Sequence, residues 1–594
     1  MKLSRIYSNQ PTLFEPVAFR DGLNVVIAEI REPENREKDT HNLGKTTLSR
    51  LIDFCLLKPR DKDFFLFKHL DRFGIFVFFL EVKVDEGDFL TIRRSVENSS
   101  RISFKKHNEP LQDFVALPEV EWDHWEMPFE RAKTLLDGIL NLTAIAPFDY
   151  RDALGYSLRV QDDYGDIFQL DKYRGKYADW KPYLAKMLGF RTEPIQENYA
   201  LEDEIKELSA NAARSRAELI GALDDPDKID GMLVVKQSQA LELERQVRQY
   251  NFQFADAHIT EDLVNQVEAQ ISELNQRRYY LSMHQRRIQD SLKEKIVFDA
   301  DSAESLFAEA GVAFAGQIKK RFEDLTRFNV AIAQERTSFL SEELKRINSE
   351  LGEIAKELTL LNARRAESLS ILDDKQTFSK YRKISVQLVE VKTDVEMLLR
   401  QRRAAQDLQN IVAEISKKKS RRAELRVLIE ENIRDQANNR YKSIRLFFNE
   451  IVKKTIDRSV VLHTRVNDNG NLEFSADILN QQGAETSEAL GHTYRKLLCV
   501  AFDMAIARAY SKERFIHFLY HDGALETLDD RKKLNLIGLI RAYAAEGMQH
   551  IITLIDSDLP LLPDGSIFAF EQDEVVLLLH DQGDDGRLFK MPVW

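Results

Sequence analysis

From Leu340 the apolar residues fall at Leu344, Ile347, Leu351, Ile354, Leu358 and Leu361, in alternating steps of four and three. Ile384, Leu388, Val391, Val395 and Leu398 repeat the pattern, as do Val264, Val267, Ile271, Leu274, Leu281, Ile288 and Leu292. Leu201, Ile205, Leu208, Ala212 and Leu219 fit it too, with Ser215 as a polar lapse. A repeat of about 3.5 residues keeps one apolar seam turned towards a partner helix, which is what a coiled coil requires. The alternative is a globular bundle of amphipathic helices, but the pattern persists across residues 196–445 with almost no proline. Few glycines (23) and prolines (14) among 594 residues, with 31% charged, agree with long helices. The two arms flank Val297–Gln317, which holds Gly311 and Gly316 and reads as the turn at the tip. Pro226 in "DDPDKIDG" interrupts the outgoing arm, because proline cannot continue a helix.

An antiparallel hairpin of helices brings together the segments on either side of it. Both have α/β character. "NVVIAEI" and "FGIFVFFLEVKV" are short apolar runs of strand length before the arms. After them "VVLHTRVNDNGNLEFSAD" reads as a hairpin with Asn-Gly at its turn. The fold class expected is α/β: one head assembled from residues 1–195 and 446–594, with the coiled coil 196–445 inserted between them.

Composition narrows the function. Lys plus Arg is 85 and Asp plus Glu is 98, a net charge of −13, so contact with nucleic acid must come from a local patch. Cys55 and Cys499 are the only cysteines, which excludes a disulfide framework or a multi-cysteine zinc site and suits a reducing cytoplasm. "MKLSRIYSNQ" has no apolar signal core, and no apolar run is long enough to span a membrane.

Chemistry concentrates in "HNLGKTTLSRLIDFCLL". A strand, a loop carrying Gly44-Lys45-Thr46 and a helix is the order that phosphate binding needs. The amides of Asn42, Leu43, Gly44, Lys45, Thr46 and Thr47 would face one concavity at a helix N-terminus. Lys45 would reach the β- and γ-phosphates of ATP, and the Thr46 hydroxyl a magnesium ion. Asp39 stands where the first glycine of such a loop is expected, and "REPENREKD" makes the entrance long and charged, either as a contact insertion or as a solvated loop. The second half of the site is "RFIHFLYHDGALETLDD", an apolar strand ending in Asp522, placed to hold magnesium through water.

Together these residues resemble the SMC-like ATPases of the ABC superfamily, the group of chromosome-condensing SMC proteins and SbcC-type repair ATPases. There a long antiparallel coiled coil joins an N-terminal phosphate loop to a C-terminal acid motif. "YHDGALETLDDRKKLNLI", "HIITLIDSDLP" and "GRLFKMPVW" are similar to a bacterial family of SMC-like proteins with a C-terminal domain of no assigned function, related to members of conflict and anti-phage systems. The resemblance makes Gln161 in "LRVQDDYGD" a magnesium and water ligand. It places the signature motif in "ALGHTYRKLLCVAFDMAIA", with Gly491 where serine is usual and Ser487 or the His492–Thr493 pair as substitutes. Asp529 becomes the D-loop aspartate that touches an opposite head. Gly523 follows Asp522 where the family has its catalytic glutamate, so Glu526, four residues past Asp522, is the candidate base. No histidine stands in "IITLIDSDLP", where the sensing histidine is expected. The resemblance thus implies a slow ATPase needing ATP and Mg2+, whose heads form a homodimer around the nucleotide, with a separate effector as partner. DNA contact is expected at Lys417, Lys418, Lys419, Arg421 and Arg422; the alternative there is a solvated coil face paired with glutamates. A nucleotide-gated scaffold with little hydrolysis, free of nucleic acid, is the rival function.

Overall fold

The computed structural model describes residues 1–32, 43–218, 226–249, 257–293, 316–370, 375–480 and 492–592. The expected tip, together with Asp39, Asn42, Ser487 and Gly491, lies mostly or wholly outside them. The chain divides into two units, Met1–Lys206 with Ser416–Trp594, and Glu207–Ile415.

The first unit is built on two large sheets. Its strands are β1 (Lys2–Ser8), β2 (Val17–Ala18), β3 (Leu23–Glu29), β4 (Val77–Asp85), β5 (Asp88–Ser95), β6 (Arg101–His107), β7 (His124–Pro128), β8 (Leu158–Arg159), β9 (Ser459–Val466), β10 (Leu472–Leu479), β11 (Phe518–Asp522), β12 (Gln549–Ile555) and β13 (Val575–His580). An antiparallel sheet runs β2-β1-β4-β5-β6-β7. A parallel sheet runs β13-β3-β12-β11-β8 and so draws strands from both ends of the sequence.

Strands covered on both faces read as unbroken apolar runs rather than alternating ones. This explains "LNVVIAE" and "QHIITLI", buried along almost their whole length. β11 is buried throughout although it carries His521 and Asp522, so both polar side chains need partners inside the protein. Tyr520 turns to one face, where its hydroxyl donates to the carbonyl of Lys45 at 2.9 Å. His521 turns to the other face, towards Asp503 of the helix His492–Ala509.

The β9–β10 hairpin forms as its Asn-Gly turn suggests, with Gly470 at φ 79°. The turn grips the roots of both long helices: Asn471 accepts from Asn198 at 2.7 Å and the carbonyl of Asn469 accepts from Arg422 at 2.6 Å. Those contacts give the roots to the first unit, whose boundaries fall at Lys206 and Ser416.

In the second unit Val267, Ile271, Leu281 and Ile288 bury against Ile347, Ile354, Leu358 and Leu361. The flanking pairs Glu268–Arg365 and Gln285–Asn348 show that the helices Ala257–Lys293 and Gly316–Ser370 run antiparallel. Ile229 and Leu233 meet Leu398 and Ala405 in the same way, bordered by Lys236–Asp394 and Asp230–Arg402. Apart from Ile229, Leu233 and Ala405, these seam residues are those of the 3.5-residue repeat. No described helix is long and apolar enough to cross a membrane.

Candidate functional site

Parallel strands gather functional groups at their carboxyl ends, because all their following loops emerge on one side. Here β8 leads to Gln161, β11 to Asp522 and Glu526, β12 to Asp556 and Asp558, and β3 to the loop before Lys45. Gly44 caps the helix Lys45–Cys55 with φ 111°, a left-handed conformation that favours glycine. It is needed for space as well: a Cβ there would lie 2.5 Å from the Cβ of Leu588. Leu588 donates its amide to the carbonyl of Leu43 at 3.1 Å, and the neighbouring Phe589 is buried among Phe14, Phe73 and Phe76. The C-terminal segment therefore braces the end of the loop.

The start of the loop is braced by acids. The amide of Ile30 donates to Asp556 at 3.0 Å, and those of Arg31 and Glu32 donate to Asp581 at 2.7 and 3.2 Å.

Lys45 is 7% exposed, and its ammonium has neither hydrogen bond nor ion pair among the described residues. Burial lowers its pKa, opposed by the nearby charges of Asp522, Glu526 and Asp558. The loss of hydration outweighs those charges, so the buried ammonium carries a cost. An arriving anion relieves that cost. Thr46, next in the helix, donates its hydroxyl to Asp522, whose other oxygen accepts from Thr553. Asp522 is fully buried and has no cation partner in either contact. One carboxylate and one hydroxyl match the sparse protein ligation of a magnesium ion that keeps water and phosphate oxygens. Among the described residues no group of three or more His, Cys, Asp or Glu could hold a metal ion. Thr47 is half-buried beside Thr46.

Beyond Asp522 the backbone turns sharply. Gly523 has φ 66°, and its amide is held by Thr553. A Cβ on Gly523 would stand 2.4 Å from a carboxylate oxygen of Glu526. The Glu526 carboxylate thus occupies the space that a side chain at position 523 would fill. Its Oε1 accepts from Gln161 Nε2 at 3.1 Å and its Oε2 from Lys496 Nζ at 2.7 Å. Burial raises the pKa of the neighbouring Asp558, and Glu526 adds to the rise.

Sequence reading brought Lys45, Thr46, Asp522, Gln161 and Glu526 to one place but missed Lys496, Thr553, Asp558 and Asp581. It also missed a buried polar chain behind the site. Arg159, fully buried, donates to both oxygens of Asp503 at 2.7 and 2.9 Å, and to the carbonyls of Asp163, Asp166 and Ile167. The segment after Gln161 is therefore wrapped around a guanidinium. Asp503 also meets His521, which contacts His550 at 2.7 Å. Burial lowers the pKa of both histidines. An arginine at the end of an apolar strand was the available signal for this chain, since a buried charge demands a partner.

The remaining expected residues are placed as follows. Asp529 caps the helix Asp530–Ala545, accepting the amide of Lys532 at 3.0 Å and pairing with its ammonium, which lowers the aspartate's pKa. His492 and Thr493 open the helix His492–Ala509; their side chains are not among those described. In the basic cluster Lys418 pairs with Glu204, Arg421 with Glu197 and Glu424, and Arg422 with Glu202. Lys417 and Lys419 are exposed, without such partners among the described residues.

A family described as an uncharacterised protein conserved in bacteria (DUF2326) matches residues 447–593. Among solved structures, the chain is similar to an Smc head domain with a coiled coil and joint from Pyrococcus yayanosii, at 13% identity and a TM-score of 0.35, over 96% of this chain and 98% of that one. It is also similar to an Smc head domain with an extended coiled coil from Pyrococcus furiosus, bound to the C-terminal domain of ScpA, at 11% identity and a TM-score of 0.30, over 94% and 90% of the two chains. No curated protein matches the sequence. These identities are too low to transfer any residue's role.

Proposed function

We propose that the chain is an SMC-like, ABC-type ATPase that binds magnesium-ATP in its head and hydrolyses it slowly. The observation that carries this reading is the buried Lys45 ammonium, without a partner among the described residues, beside the Thr46–Asp522 pair. Lys45 neutralises the β- and γ-phosphates, and the loop amides and helix N-terminus add a favourable dipole. Thr46 and Asp522 would hold magnesium, which would supply charge neutralisation on the transferred phosphoryl group. Glu526 accepts a proton from the attacking water as its oxygen bonds to the γ-phosphorus and the bond to the β-phosphate oxygen breaks. Gln161 orients the same water. Phosphoryl transfer depends mainly on position and charge, so a base reaching back from position 526 supports slow turnover.

ATP bound to one head is closed over by a second copy, so nucleotide shifts the population towards a head-to-head homodimer. Lys417 and Lys419, with their paired neighbours, contact duplex DNA and signal to a separate effector, in anti-phage defence or DNA repair. Sedimentation with and without ATP tests the dimer. Loss of salt-sensitive DNA binding in Lys417→Glu/Lys419→Glu tests the patch.

ATP turnover by wild type, Lys45→Ala and Glu526→Gln tests the reading: Lys45→Ala should fall to background and Glu526→Gln to a small residual rate above it, and equal rates in all three would refute it. A second reading, a scaffold gated by ATP with almost no hydrolysis, is favoured by Gly523 in place of a glutamate. Tight ATP binding without turnover would select it.

A further inference from the structure

We propose that Lys496 is a positioning residue, holding the Glu526 carboxylate where a water attacking the nucleotide must be oriented; this rests on the reading of Glu526 as base. The turn from Gly523 to Leu528 offers that carboxylate no anchor of its own. Both of its oxygens are held from other elements, Oε1 by Gln161 after β8 and Oε2 by Lys496 in the helix His492–Ala509. The Lys496 side chain is 5% exposed, against 28% for Glu526. Its ammonium also stands 4.9 Å from the centroid of the Tyr164 ring, itself buried. A stem enclosed in this way has little rotamer freedom left to lose on holding the carboxylate.

Charge makes the contact more than a strap. The charges of Asp522, Glu526 and Asp558 all act on Lys45, as does that of Lys496. Without Lys496 the Glu526 carboxylate would share the site with Asp522 and Asp558, offset by Lys45 and, at Asp558, by Lys533, and Lys45 is engaged once phosphate arrives. Repulsion would then move the carboxylate away from Gly523 and out of line with the water. A loose transition state asks for orientation more than basicity. A misplacement of about 1 Å is enough to cost about 100-fold in rate. No covalent role falls to Lys496: the proton passes from water to Glu526.

The test uses the full chain, with steady-state ATP turnover, affinity for a fluorescent ATP analogue with magnesium, and melting temperature. Lys496→Met should lower kcat about 100-fold while analogue affinity and melting temperature stay near wild type, and Lys496→Arg should restore much of the rate. Added to Glu526→Gln, Lys496→Met should slow turnover no further, because the two residues act as a unit. Three outcomes overturn the proposal: wild-type kcat in Lys496→Met while Glu526→Gln keeps only its residual rate; a further loss in the double variant; or a rate that Lys496→Arg leaves as low as Lys496→Met. A wild-type rate in Glu526→Gln instead removes the base reading itself, and is distinguished from the others by that variant alone.

Discussion

The head buries charges more deeply than the coil does. In the head, Arg159 and Asp503 are both fully buried and bonded to each other. Arg94 is buried over the Phe54 ring and donates to the carbonyls of Phe54, Lys58 and Ser99. In the coil most ion pairs stay open, Lys236 and Asp394 at 31% and 39% exposed and Lys392 and Glu244 at 51% and 31%, while Arg365 with Glu268 is more enclosed at 7% and 16%. The coil is specified by a seam of leucine and isoleucine, with ion pairs along its rim. The head is specified as well by buried polar groups that fit in one arrangement only. Such groups are suited to a site whose parts come from distant strands, and they leave the head exposed to any change that strands one of them.

The comparison is sharpest at Arg159. Arg159→Met leaves Asp503 buried without its cation, and the head should lose roughly 3–5 kcal/mol. The four tryptophans all lie in the head's segments, so their fluorescence during urea unfolding reads this loss without interference from the coil. Ile354→Ala in the coil seam should cost about 2–5 kcal/mol, read as helix loss by circular dichroism while tryptophan fluorescence holds. At the small end, Lys236→Met should cost under about 1 kcal/mol, since its ion pair is exposed. A loss at Lys236 equal to that at Arg159 would erase the contrast between the two regions.

Acid should separate them as well. Burial lowers the pKa of His517 to about 4 and that of His550 well below its ordinary value. Below about pH 6.5 the unfolded chain takes up protons that these folded histidines refuse, so stability falls as pH drops from there towards about 4. The tryptophan-detected melting temperature should decline across that window more steeply than the helical signal of the coil.

How far the sequence revealed this molecule follows from the same contrast. A coil seam repeats, so Ile347, Ile354, Leu358 and their partners could be read from spacing alone. Lys45, Thr46 and Asp522 were legible because a strand, a loop with Gly-Lys-Thr and a helix leave a local trace, as does a strand ending in an acid. Glu526 was legible as the nearest carboxylate once Gly523 was seen to lack one. Lys496, Thr553 and Asp581 were not, since each meets the site only through the pairing of strands and helices far apart in the chain. Lys496 looks like one more base in "TYRKLL", and Asp581 like one more acid in "HDQGDDG". The basic cluster was legible as composition, but composition did not show which of its cations the opposite helix had already taken.

Binding of a fluorescent ATP analogue tests the central claim most directly, measured with magnesium for wild type, Lys45→Ala and Asp522→Asn, and again for wild type after chelation. The account predicts saturable binding by wild type that weakens at least about tenfold in Lys45→Ala, a loss of about 1.4 kcal/mol, and weakens in Asp522→Asn and on chelation. Equal affinity in wild type and Lys45→Ala, or no binding by wild type at all, would contradict it.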